Sequence, residues 1–161
     1  MTDLFIALPI WICLVCYAAA VDAWLGGVLS RVKNGARLFW SLACMAYLVH
    51  VAAAFHFYHH WSHQHAFDHT AEGGGFGEAI YISYAFTAAW PIDVLWVWMA
   101  PSNQARVLWL HRLMHLFVAF MLFNGAVIFA HGFSRVLGIA VFGYLALLWT
   151  WTKLGANRSF T

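Results

Sequence analysis

The chain is predicted to be an all-α, polytopic integral membrane helical bundle with about five transmembrane helices. Three observations carry that prediction. Of 161 residues, 64% are hydrophobic and only 9% are charged, where a soluble domain carries roughly 25%. The apolar residues fall into five long blocks, and the Lys and Arg residues collect between them. A bilayer core of about 30 Å asks for about 20 apolar residues per helix. Backbone groups in lipid must pair internally, so each block is read as helix. One bundle, residues 1–161, takes up the whole length and leaves no room for a separate soluble domain.

The first block covers residues 4–25. It lacks a basic leader region, and its first charge is Asp3, so it reads as a retained helix rather than a cleaved signal. The second covers residues 38–60. The third, residues 79–100, contains Pro91, which removes a helix hydrogen bond and predicts a kink. The fourth and fifth, residues 107–130 and 135–152, are joined by the tight turn His131-Gly132-Phe133-Ser134. A connection that short makes the two helices antiparallel neighbours. Gly125, Gly138 and Gly143 are expected to let them approach closely. Cys13, Cys16 and Cys44 all lie in apolar blocks and read as small buried apolar residues. The C-x-x-C they include has no strand-to-helix context, which argues against a redox motif.

Charge placement predicts orientation. Arg31, Lys33 and Arg37 separate the first two blocks, Arg106 and Arg112 open the fourth, and Lys153 and Arg158 follow the fifth. Only Arg135 falls on the other side. The positive-inside rule then puts the N-terminus outside and the C-terminus inside, in a bacterial inner membrane. Trp24, Trp40, Trp109, Trp149 and Trp151 fall at the predicted inner boundary, and Trp11 and Trp61 at the outer one, where amphipathic indoles settle. No basic surface is large enough to indicate nucleic-acid binding. The lipid bilayer and other membrane subunits are the expected partners.

The most unusual stretch is residues 56–69, HFYHHWSHQHAFDH. It holds six of the ten histidines, one carboxylate, and no Lys or Arg. It opens an outer loop at about residues 56–78 that ends in GGGFG. If the second helix continues past residue 60, then His56, His59, His60 and His63 share one face within an arc of about 100°. His65, Asp68 and His69 follow, and His131 reaches the same side from the fourth helix. Imidazole is the commonest metal ligand, and histidines with a carboxylate suit Zn or Cu. Glu72 and Glu78 add oxygen donors nearby. The bland alternative is a polar interfacial loop whose histidines bond to backbone and headgroups. Histidines near their ordinary pKa of about 6.5 would also make such a loop pH-sensitive.

Two histidine spacings, His56-x-x-His59-His60 and His111-x-x-x-His115, resemble the histidine boxes of membrane di-iron desaturases and hydroxylases. The resemblance implies a di-iron hydroxylase. It covers only these residues, and the predicted topology puts the boxes on opposite sides, about 20 Å apart at 1.5 Å per residue. His50 and His115 lie inside the second and fourth blocks and are the candidate ligands for one haem or a chlorophyll-type pigment. Asp93, Arg112 and His115 form a candidate structural polar pair toward the inner side, since an intramembrane carboxylate usually faces the bundle interior. There is no GxSxG, HExxH or Walker motif, so hydrolase chemistry is not indicated. Two functions remain. One is a small accessory subunit of a larger membrane complex of respiratory or photosynthetic type, with a metal-binding outer loop. The other is a self-contained envelope protein that handles metal or carries a haem.

Overall fold

The computed structural model describes residues 2–74, 76–99 and 108–158. Its elements are helices α1 (Thr2–Trp24), α2 (Gly35–Phe57), α3 (His63–Gly74), α4 (Ala79–Met99), α5 (Leu108–Phe123) and α6 (Gly132–Arg158). No strand occurs among the described residues. Five helices are long and apolar enough to cross a membrane, with α5 extended by a π-helical turn over Asn124–Ile128. The expected third and fourth crossings are therefore α4 and α5.

The sequence places each boundary for a physical reason. Asp3 lies in the first turn of α1, where the helix dipole favours negative charge. After Trp24 the chain reverses through Gly26, whose φ of 82° suits glycine. A single 3-10 turn over Val28–Arg31 follows, and Asn34, at φ 56°, leads into α2. The buried Asp22 carboxylate holds this connection. It accepts the Leu29 N–H at 2.7 Å and the Tyr144 hydroxyl at 2.7 Å. A Cβ on Gly27 would run into that carboxylate. Glycine is required there by space rather than by dihedral.

The pair α1–α2 is the most extensive in the molecule. Small buried residues, Cys13, Ala18 and Ala20 on one helix and Ala43 and Cys44 on the other, let the two backbones approach. Phe86, Trp90 and Val118 complete the core from α4 and α5. The opposite faces carry exposed apolar side chains, among them Val15, Met45, Leu95, Leu116 and Leu147. All three cysteines are free, and Cys13 and Cys44 are buried.

Several expectations need correction. Helix α2 ends at Phe57 and does not run on through residue 60. The expected loop at 56–78 contains α3. The Ser62 hydroxyl accepts the His65 N–H at 3.3 Å, which is an N-cap for that helix. Gly138 does bring α6 close, since a Cβ there would meet the Ala126 backbone. Gly125 and Gly143 face open space and pack nothing. Trp40 is 3% exposed, so it belongs to the core rather than to an interface. Trp109, Trp149 and Trp151 are exposed on the outside of the bundle. Gly75 and Arg106 lie outside the described residues.

Candidate functional site

The helices alternate in direction, so chain ends sort to two ends of the bundle. One end carries the start of α1, the end of α2, α3 and the start of α6. The other carries the turn with Arg31, Lys33 and Arg37, the start of α5 with Arg112, and the end of α6 with Lys153. Arg135 alone among the described cations joins the histidine-bearing end.

At that end the chain turns sharply between α2 and α3. His60 and Trp61 both take positive φ, 49° and 59°. This left-handed pair is uncommon for side chains of their size, and it folds α3 back toward the end of α2. His59 is left in the elbow. Its ring centre lies 5.4 Å from that of His69 and 5.9 Å from that of His65. His65 and His69 are four residues apart on α3, so one helix face presents both. His60 stacks beside His65 at 6.3 Å. The Nδ1 of His59 is buried without a hydrogen-bond partner among the described residues. Burial, then the neighbouring His69, His65 and His60, push the His59 pKa below its ordinary 6.5. The ring is therefore neutral at pH 7.

The remaining expected ligands are dispersed. His63 points to α4, where its Nδ1 lies 2.9 Å from the Tyr84 hydroxyl. Asp68 accepts the Gln64 amide at 2.8 Å. His56 packs its edge on Phe57. His131 is exposed in the turn before α6. Two imidazoles on one tetrahedral zinc hold their ring centres roughly 5 Å apart, given Zn–N near 2.0–2.1 Å. The spacings around His59 approach that value. No group of three or more His, Cys, Asp or Glu among the described residues is already arranged to hold a metal ion. A bound metal would therefore require rotation of the imidazoles.

The other end holds a cluster of aromatic rings around His115. The His115 ring lies 4.2 Å from Trp40, is stacked on Trp24 at 5.2 Å with 6° between planes, and meets His111 edge-on at 4.4 Å. Trp40 donates its indole N–H to the buried Asp93 carboxylate at 2.8 Å. Of the residues expected to pair with Asp93, Arg112 lies on the exposed face of α5, and His115 packs against Trp40, the indole that donates to that carboxylate. An aromatic N–H satisfies a carboxylate in a packed core without importing a second charge. Trp24 and Trp40 were missed as partners of His115. The available signal was their position: each falls near the end of a helix that packs beside Asp93 or His115.

His50 and His115 do not face each other. His115 sits at Trp40, ten residues before His50 on α2, or about 15 Å along the helix. His50 instead holds its Nδ1 2.8 Å from the Ile6 carbonyl. The two di-iron-like boxes are further apart. His56 lies sixteen residues beyond Trp40, about 24 Å along α2. Comparison with protein-family models, with curated proteins and with solved structures finds no match to this chain.

Proposed function

We propose that the protein is a small integral membrane subunit that works beside other membrane proteins, and that its histidine-bearing end binds a divalent metal, zinc or copper. His59, His65 and His69 are the ligands in this reading, with His60 beside them. The observation that supports it is the buried His59 Nδ1, without a hydrogen-bond partner among the described residues, on a ring flanked by those of His65 and His69. A buried polar atom without a partner is costly, and a metal would satisfy it. The lowered pKa supports the same reading, because a metal ligand must be neutral imidazole.

The subunit role draws support from α6. It packs chiefly on α1 and the π turn, while Val136, Ile139, Leu147 and Trp151 remain exposed along its length. The distribution of Arg and Lys supports an orientation with the histidine end on the periplasmic face of a bacterial inner membrane. Elemental analysis of the purified protein tests the metal. Near-stoichiometric zinc or copper is expected, lost in His59→Ala and His69→Ala. No metal in the wild type, or the same metal content in both variants, removes the reading. Purification in mild detergent tests the subunit role: companion proteins should co-purify in fixed ratio, and a monodisperse particle of this chain alone would count against it.

A further inference from the structure

A cavity of about 480 Å³ opens inside the bundle at the histidine-bearing end, walled by α1, α2, α4 and the end of α5. Its volume falls in the range of about 300–1,000 Å³ typical of small-molecule sites. Its walls are mainly apolar, with Leu14 and Met121 among them. Several are aromatic. Tyr47 and Phe86 meet edge-on at 4.8 Å, and Phe55 and Tyr84 line the same space. At the rim, Tyr58 donates to Asp3 at 3.0 Å.

Two of the polar groups that line this space, His50 and Tyr47, are set as acceptors. The Ile6 carbonyl can only accept, so His50 Nδ1 carries the proton of that bond. In the neutral ring Nε2 is then a bare acceptor. It has no described hydrogen-bond partner, and it is not among the atoms closed off from the surface. His50 lines the cavity. Tyr47 follows the same logic. The Thr87 hydroxyl spends its one proton on the Ser83 carbonyl at 2.7 Å. The Tyr47 hydroxyl, 2.9 Å from Thr87, must therefore be the donor in their bond. Its own oxygen is left able to accept. No Lys or Arg lines the cavity, so nothing there selects an anion.

An aromatic, largely apolar chamber with acceptors and no cation fits a neutral ring that carries O–H donors and an apolar tail. We propose that this cavity binds a lipid-soluble hydroquinone, with one ring hydroxyl donating to His50 Nε2 and the tail lying along the apolar wall. The proposal does not depend on the metal reading. It uses a different cavity and different side chains, although the His63–Tyr84 contact joins α3 to the chamber wall.

The test is a binding titration of the full-length protein in detergent with a decyl-substituted dimethoxy-methyl hydroquinone. The corresponding quinone and 1-decanol are the comparison probes. The quinone lacks the donors and the alcohol lacks the ring. Saturable one-to-one binding of the hydroquinone is expected, with the quinone weaker by roughly tenfold, the scale of one lost hydrogen bond. His50→Leu should weaken the hydroquinone by a similar factor and leave the quinone unchanged. Gly125→Leu provides a second variant. Gly125 lines the cavity, and a Cβ there meets nothing within 4 Å, so leucine should fill the space and abolish binding without disturbing the fold. Equal affinity for hydroquinone and quinone would overturn the proposal. So would decanol binding as tightly as the hydroquinone, which would make the chamber a tail slot only. Unchanged binding in a folded Gly125→Leu protein would also overturn it.

Discussion

The two ends of the bundle handle histidine in opposite ways. At the cation-bearing end His115 is enclosed by Trp24, Trp40 and His111, and Trp40 spends its indole N–H on Asp93. The imidazoles there are stacked among aromatic rings. At the other end His59, His60, His65 and His69 gather around a left-handed elbow, and the buried His59 Nδ1 has no described partner. Side chains of one type are thus stacked among aromatic rings at one end and gathered by a short helix that folds back toward them at the other. The lesson is that histidine count points to a region, while the environment decides its use.

Stability measurements should separate the ends most sharply. Trp40→Ala removes a core side chain that is 3% exposed and also the donor to Asp93. It should cost about 3–5 kcal/mol, read as a lowered midpoint of thermal unfolding in detergent. His65→Ala, at an exposed position, should change stability by less than about 0.5 kcal/mol. Equal effects from the two substitutions would erase the contrast.

Acid should act on the histidine end, and more gently. The His59 pKa is depressed below 6.5 by burial and by its histidine neighbours. The unfolded chain therefore binds a proton there more readily than the folded one. The group's contribution to stability is complete above pH 6.5, and it falls away as pH drops from there through the folded-state value. NMR of ring-labelled histidine should show His59 titrating below 6.5. The elbow should loosen as it does so. A His59 that titrates at or above 6.5 would mean that its ring is not enclosed as described.

Much of the fold was legible because it rests on length and hydropathy. Five blocks long enough to cross a bilayer became five helices, with edges displaced by a few residues. The short helix α3 was not legible. His63–Gly74 has few apolar residues and two glycines near its end, and its Ser62 cap lacks the Glu three residues on that would have marked it. The elbow was hidden as well, since His60 and Trp61 give no sequence sign of left-handed backbone. The Trp40 bond to Asp93 was hidden for another reason. A carboxylate directs attention to charged partners, and the indole on the adjoining helix carries no charge. For the candidate site, composition drew attention to residues 56–69. Which imidazoles converge depended on the elbow, with His63 turned to Tyr84 and Asp68 bonded to Gln64.

Accessibility of single introduced cysteines to a membrane-impermeant maleimide tests the arrangement most directly, since the native thiols lie within the spanning helices. In intact cells His65→Cys should label readily. Lys33→Cys, at the opposite end of α2, should label only after the membrane is opened. Labelling of Lys33→Cys but not His65→Cys in intact cells would reverse the orientation, and labelling of both would contradict a bundle that separates the two ends across the bilayer.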